Sequence, residues 1–184
     1  MAGNFYYFCS QLPGLVFNTP PPMTAAEFDA RAADLLGERE AAYLANCSFH
    51  AVVDAAKLPA ASAAGRYRRW ERALSGEIAR LRAAERNSDL PLLLPPEMNE
   101  FTDLRDAVTA AASAPNPLER QNRIDHLRWK KIESLEVGHE FTVEWAACYR
   151  LKLTLLEKRR LYREEAGREN FRGAIDRIDR NSAE

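Results

Sequence analysis

The stretch Thr142-Val143-Glu144-Trp145-Ala146-Ala147-Cys148-Tyr149-Arg150-Leu151-Lys152-Leu153-Thr154-Leu155-Leu156-Glu157 carries two apolar stripes rather than one. Val143, Ala147, Leu151 and Leu155 form the first; Trp145, Tyr149, Leu153 and Leu156 form the second. Steps of three and four residues return a side chain to the same face of an α-helix. A helix apolar on two sides must be covered on two sides, so this segment is expected at the centre of a helix bundle. Thr142 is the expected cap, and the helix should run over about 142–165. Beyond Leu156 the run Glu157-Lys158-Arg159-Arg160 predicts emergence into water.

The composition agrees with a helical chain. The 184 residues include 30 Ala and 21 Leu against 17 β-branched residues, and no segment alternates long enough to propose a strand. The fold class expected is all-α, a multi-helix bundle. Upstream of the central stretch, Asn116, Pro117 and Glu119 open a helix in which Ile124, Leu127, Ile132 and Leu135 form the buried arc, and Gly138 stops it. Phe101, Leu104, Val108 and Ala111 predict a modest helix ending before Pro115. A longer one is expected from about Arg66 to Arg86, with Tyr67, Trp70, Leu74, Ile78 and Leu81 on one face.

Thr24-x-x-Glu27 has the form of a capping box, followed by Phe28, Ala32, Leu35 and Leu36, with Gly37 as the expected stop. Residues 38–56 read as one broken helix or two short ones. The aromatic opening Phe5-Tyr6-Tyr7-Phe8 reads equally as a short helix or an extended piece. Near the end of the chain, Phe171, Ile175 and Ile178 share one line of a further helix. Leu90-Pro91-Leu92-Leu93-Leu94-Pro95-Pro96 forbids a continuous helix. It divides the chain into two small helical lobes, 1–88 and 97–184, or forms a loop within one compact domain.

The net charge of −1 gives no general reason to bind nucleic acid or an anionic membrane. Charge is nonetheless blocked: residues 58–90 are basic and 91–115 acidic, a pattern that could orient a partner or simply solvate helix faces. Cys9, Cys47 and Cys148 are odd in number and far apart, which argues against a disulfide framework or a zinc cluster and suits a reducing compartment. The uncharged first 26 residues lack the basic start of a signal peptide, and their prolines interrupt any spanning helix. The expected location is the cytoplasm, or the inner face of a membrane as a peripheral protein.

No phosphate-cradling glycine loop and no nucleophile elbow occurs in the sequence. Glu136-x-x-His139 has the spacing of a di-iron half-site but has no second copy, and Gly138 falls inside it. Cys148 lies in the apolar middle of a helix, where an inert thiol is expected. An enzymatic site would have to gather Glu136, His139 and a cysteine from separate places. The reading is therefore of a non-catalytic protein without metal or cofactor.

Recognition of partner proteins remains. The chain has 21 Arg and five Lys, and arginine pairs bidentately with carboxylates on a partner helix. Arg66–Arg72, interleaved with Tyr67 and Trp70, reads as core plus solvated face rather than a nucleic-acid patch, with Glu71 among the exposed arginines. Trp129 lies at the margin of its helix's buried arc beside Arg128 and Lys130, as either the edge of the core or an interface anchor. Arg128, Trp129, Lys130, Arg69 and Arg159 are the candidate interface residues.

Two blocks of sequence carry a family resemblance. One is Asn4-x-Tyr6-Tyr7 through Leu12-Pro13; the other runs from Leu118-Glu119 to Phe171. The second contains Asp125-x-x-Arg128-Trp129, Leu135-x-x-Gly138-His139-x-Phe141, Tyr149-x-Leu151-Lys152-Leu153-x-Leu155-Leu156-Glu157 and Glu165-x-Gly167-x-x-x-Phe171. In these the chain resembles a bacterial family encoded among the genes of V/A-type rotary ATPases. The resemblance implies a shortened counterpart of the helical C (or d) subunit, which joins the membrane rotor ring to the central stalk. Its partners would be the stalk and rotor subunits of that ATPase. The same composition permits a stand-alone helical adaptor with an unrelated protein partner.

Overall fold

A computed structural model describes residues 3–48, 59–86 and 94–160. Among them are seven α-helices and no strand: α1 (Gly3–Ser10), α2 (Ala25–Leu35), α3 (Glu38–Asn46), α4 (Ala63–Glu85), α5 (Leu104–Ala112), α6 (Pro117–Glu136) and α7 (Val143–Arg160). A 3-10 turn, Pro96–Glu100, precedes α5. The expected helix over 171–178, and Phe49, Val52 and Val53 of the 38–56 segment, lie outside the described residues.

The local signals account for most of the boundaries. Thr24 and Glu27 make a reciprocal capping box at the start of α2. Asn116 Oδ1 accepts from Glu119 N at 2.8 Å, with Pro117 in the first turn of α6. Gly138, at φ +79°, follows the end of α6 in the left-handed region where a Cβ is costly. Gly37 behaves differently from its expected role. Its φ of −67° is ordinary, and it stands as the N-cap of α3 while α2 closes through the Leu36 N–H on the Ala32 carbonyl.

α7 occupies the centre. Every residue from Ala146 to Leu156 is buried. Cys148, Leu151, Leu155 and Leu156 face one apolar cluster, built with Tyr67, Trp70, Leu74, Leu104, Ile132 and other side chains of α4, α5 and α6. Ala146, Ala147, Tyr149 and Leu153 face a second, built with Phe8, Phe28, Ala32 and Leu44 of α1, α2 and α3. Two apolar faces are thus present, but they divide differently from the expected stripes: Leu151 and Leu155 lie on one and Trp145, Tyr149 and Leu153 on the other, whereas Val143, Ala147 and Leu156 each lie on the side opposite to the one their spacing suggested. Emergence into water comes later than Leu156: Glu157, Lys158 and Arg159 are still half-buried, and only Arg160 is exposed.

Among the described residues α4 packs on α5, α6 and α7, while α7 also packs on α2 and α3. Gly76 permits part of this. A Cβ there would lie 2.6 Å from Met98 Sδ and 2.8 Å from Pro95, so the glycine lets the 3-10 turn lie directly on α4. Both ends of α7 also cap other helices. Glu144 accepts the Ala63 N–H at the start of α4, and Glu157 Oε1 accepts the Ala25 N–H at 2.7 Å at the start of α2. A carboxylate at a helix N-terminus satisfies a free donor and opposes the positive end of the dipole.

Candidate interaction surface

The candidate interface residues divide between interior and exterior. Trp129 is 4% exposed, packs in the core of α4–α7, and donates its indole N–H to Glu133 at 2.7 Å. Lys152 Nζ sits 4.9 Å from the centre of its ring. Trp129 is a core residue and not an interface anchor: its margin of the arc is covered by α7 and by the Phe17 loop, which sequence spacing along α6 does not reveal.

Arg128 is also inside. Its guanidinium holds Glu71 of α4 through Nε and Nη2 and Asp125 through Nη1. Burial disfavours that charge, but the hydrogen-bonded Glu71 carboxylate outweighs it and the pKa rises. Glu71 is consequently no spectator among solvated arginines. Asp125 is fully buried and accepts from Gln121, Arg128 and Arg159. Arg159, expected at a water-facing helix end, lies over the Phe17 ring at 4.3 Å and donates to Asn18, which adopts φ +70°. These arginines hold the protein's own helices and loops together.

Arg69 and Lys130 remain on the exterior. Arg69 pairs with Glu100, and Arg72 with Glu97. The basic and acidic blocks of the sequence therefore meet within the chain, across α4 and the 3-10 turn. Arg69–Glu100 is exposed on both sides and contributes little to stability, whereas the Glu97 side chain is only 13% exposed.

The residues named for a possible reaction have separate partners. The Cys148 thiol is fully buried, and burial pushes its pKa up to about 12, which keeps it protonated and inert. Glu136 binds Lys152, and His139 lies 3.5 Å from Arg66 Nη2. Among the described residues no group of three His, Cys, Asp or Glu side chains is placed to hold a metal ion. Nor is any described helix long and apolar enough to cross a membrane.

A different feature faces outward. Tyr6 of α1 and Phe141 of the α6–α7 loop are 61% and 48% exposed, and their rings meet at 4.8 Å. Tyr7 and Val137, on the same two elements, are exposed as well. Phe141 has φ +58°. For a residue with a Cβ, the left-handed region costs roughly 1–2 kcal/mol. The turn from Val137 to Thr142 contains two positive-φ residues, Gly138 and Phe141, and is closed by bonds from His139 N to the Glu136 carbonyl and from Thr142 N to the His139 carbonyl. It presents an aromatic ring to solvent in a strained conformation beside a second exposed ring. The sequence held a signal for this pair, since Tyr6 and Phe141 both fall in the blocks that carry the family resemblance. The arithmetic of helical faces gives no account of residues in a loop.

Residues 81–182, more than half of the chain, match the model of a family described as Protein of unknown function (DUF2764). The chain belongs to that family. The matched stretch holds α5, α6, α7 and the turn bearing Phe141, and it begins beyond the helix bearing Tyr6. No curated protein and no solved structure matches the chain.

Proposed function

We propose that the chain is a non-catalytic subunit or assembly factor of a V/A-type rotary ATPase, attached to its stalk and rotor subunits through helical contacts at the Tyr6–Phe141 patch. The observation that carries this reading is the Phe141 ring, half in water, in a costly backbone conformation, and in contact with a second exposed aromatic. Strain is retained where the surroundings enforce it, and at a surface it points to use. Exposed aromatics are also the residues that dominate protein–protein hot spots.

The choice of partner rests on the residues that resemble the ATPase-associated family, Tyr6 and Phe141 among them. The core supports the mechanical part of the role. A coupling element must pass force without deforming, and a close-packed interior transmits strain. α7 supplies that stiffness by packing on both clusters and capping α2 and α4 with its own glutamates.

The test is purification of the rotary ATPase from the source bacterium. The chain is expected to copurify with the catalytic and stalk subunits at constant ratio through successive steps. Its reproducible absence from that complex would remove the proposal.

A further inference from the structure

The turn that carries Phe141 also brings a cation to the edge of the aromatic patch. His139 Nε2, within that turn, lies 3.5 Å from Nη2 of Arg66, an exposed residue near the start of α4. Among the described residues no carboxylate lies within ion-pair distance of Arg66. Other arginines of the same helix differ: Arg69 holds Glu100, Arg72 holds Glu97 and Arg80 holds Glu77. The carboxylates in and around the turn face elsewhere. Glu136 binds Lys152, Glu144 accepts the Ala63 N–H, and Glu140 Oε1 accepts from Gly138 N at 3.4 Å.

The backbone adds to the imbalance. Arg66 closes the first turn of α4, its N–H on the Ser62 carbonyl at 2.8 Å, near the positive end of the helix dipole. No acidic side chain of α4 lies in that turn, and Glu144 reaches it only from α7. An imidazole, neutral or cationic, balances none of the guanidinium charge. A carboxylate from outside would, and the planar fork of arginine suits it. The exposed rings of Tyr6 and Phe141 thus continue through His139 to an exposed cation. Such a surface complements a helix whose apolar stripe has an acidic side chain one turn away.

We propose that the partner segment seated on the Tyr6–Phe141 patch is an acidic amphipathic helix, with apolar side chains on the rings and a carboxylate on Arg66 and His139. This rests on the reading of the patch as the attachment surface and adds the chemistry of what attaches. The rings hold the segment, while the arginine selects it and sets its direction, as charge at the rim of an interface does.

The test uses the rotary ATPase purified through a tag on the full chain, with ATPase subunits measured per tagged chain. Arg66→Glu sets carboxylate against carboxylate and is expected to cut retention about tenfold or more, with a smaller loss for Arg66→Gln. Arg39→Glu, an equal change of charge at an exposed position of α3, should leave retention unchanged. Arg66 is exposed, so each variant should fold, and thermal melts verify it. Tyr7→p-benzoylphenylalanine, at an exposed position beside the patch, cross-links the seated segment for mass spectrometry. That segment should carry Asp or Glu within one helical turn of an apolar side chain, and reversing its charge to Arg should restore binding to Arg66→Glu.

Absence of ATPase subunits from the wild-type preparation removes the reading of the patch and this inference with it. Subunits lost with Phe141→Gly/Tyr6→Ser but fully retained with Arg66→Glu leave that reading standing and overturn the acidic helix. A cross-linked segment without a carboxylate overturns it too, as does equal loss with Arg39→Glu.

Discussion

Arg150, in the middle of α7, donates two parallel 2.8 Å hydrogen bonds to the two carboxylate oxygens of Asp29 on α2. The pair joins residues 121 positions apart, and the arginine side chain is only 7% exposed. A guanidinium at that depth is tolerable only with its partner in place. One of its nitrogens, Nη1, has no acceptor among the described residues. Asp29 therefore secures α2 to α7 more firmly than a surface aspartate would.

Asp29→Ala is expected to destabilise the protein by about 2 kcal/mol or more, since it strands a buried charge. Pairing it with Arg150→Met should recover most of that loss, because both charges then leave together. Urea unfolding of the two single variants and the double variant measures this. Additive losses in the double would mean that the two groups are not coupled.

Leu153 is fully buried on the face of α7 that meets α1, α2 and α3. Leu153→Ala should cost roughly 2–5 kcal/mol. A loss well under 1 kcal/mol in denaturant unfolding would place α7 away from the centre.

Trp129→Ala is expected to act on folding, with a loss of about 3–5 kcal/mol. Lys130→Ala, one residue along and exposed, should stay within about 0.5 kcal/mol. Comparable melting temperatures for the two variants would contradict the interior position of Trp129.

Alkaline pH should weaken the fold. Burial pushes the thiols of Cys47 and Cys148 up to about 12 and that of Cys9 up to about 11. An unfolded thiol ionises near roughly 8.5. Between those values the native state keeps protons that the unfolded chain releases, so stability falls as pH rises. The phenols of Tyr43 and Tyr67, raised first by burial, act in the same direction. Denaturant midpoints should decline steadily from about pH 9 to 11. Cys148→Ala should flatten that decline while lowering the neutral-pH value. A midpoint independent of pH in this range would show the thiols to be exposed.

How far the sequence could be read follows from what spacing encodes. The central place of α7 was legible because two stripes at helical intervals demand two coverings. The capping box at Thr24 and the start of α6 at Asn116 are local patterns, so neighbours in sequence sufficed. Arg150 and Lys152 were not legible as interior residues, because their burial depends on Asp29 and Glu136, and partners distant in sequence leave no local trace. The same reason hid Glu144 and Glu157 as caps of other helices. Arg128 and Arg159 look water-facing until Glu71, Asp125 and Phe17 are brought to them. The Tyr6–Phe141 contact joins a helix to a turn across most of the chain, and only the folded backbone shows it.

The most direct test of the account replaces that exposed pair without disturbing the core. Phe141→Gly removes the ring and the left-handed strain together, so stability should hold or rise by up to about 1 kcal/mol. Tyr6→Ser removes the other exposed ring. Rotary ATPase subunits copurified with the wild-type chain should be lost, or strongly reduced, with Phe141→Gly/Tyr6→Ser, while thermal melting stays unchanged. Full retention of those subunits by a folded double variant would contradict the claim that this patch is the gripping surface.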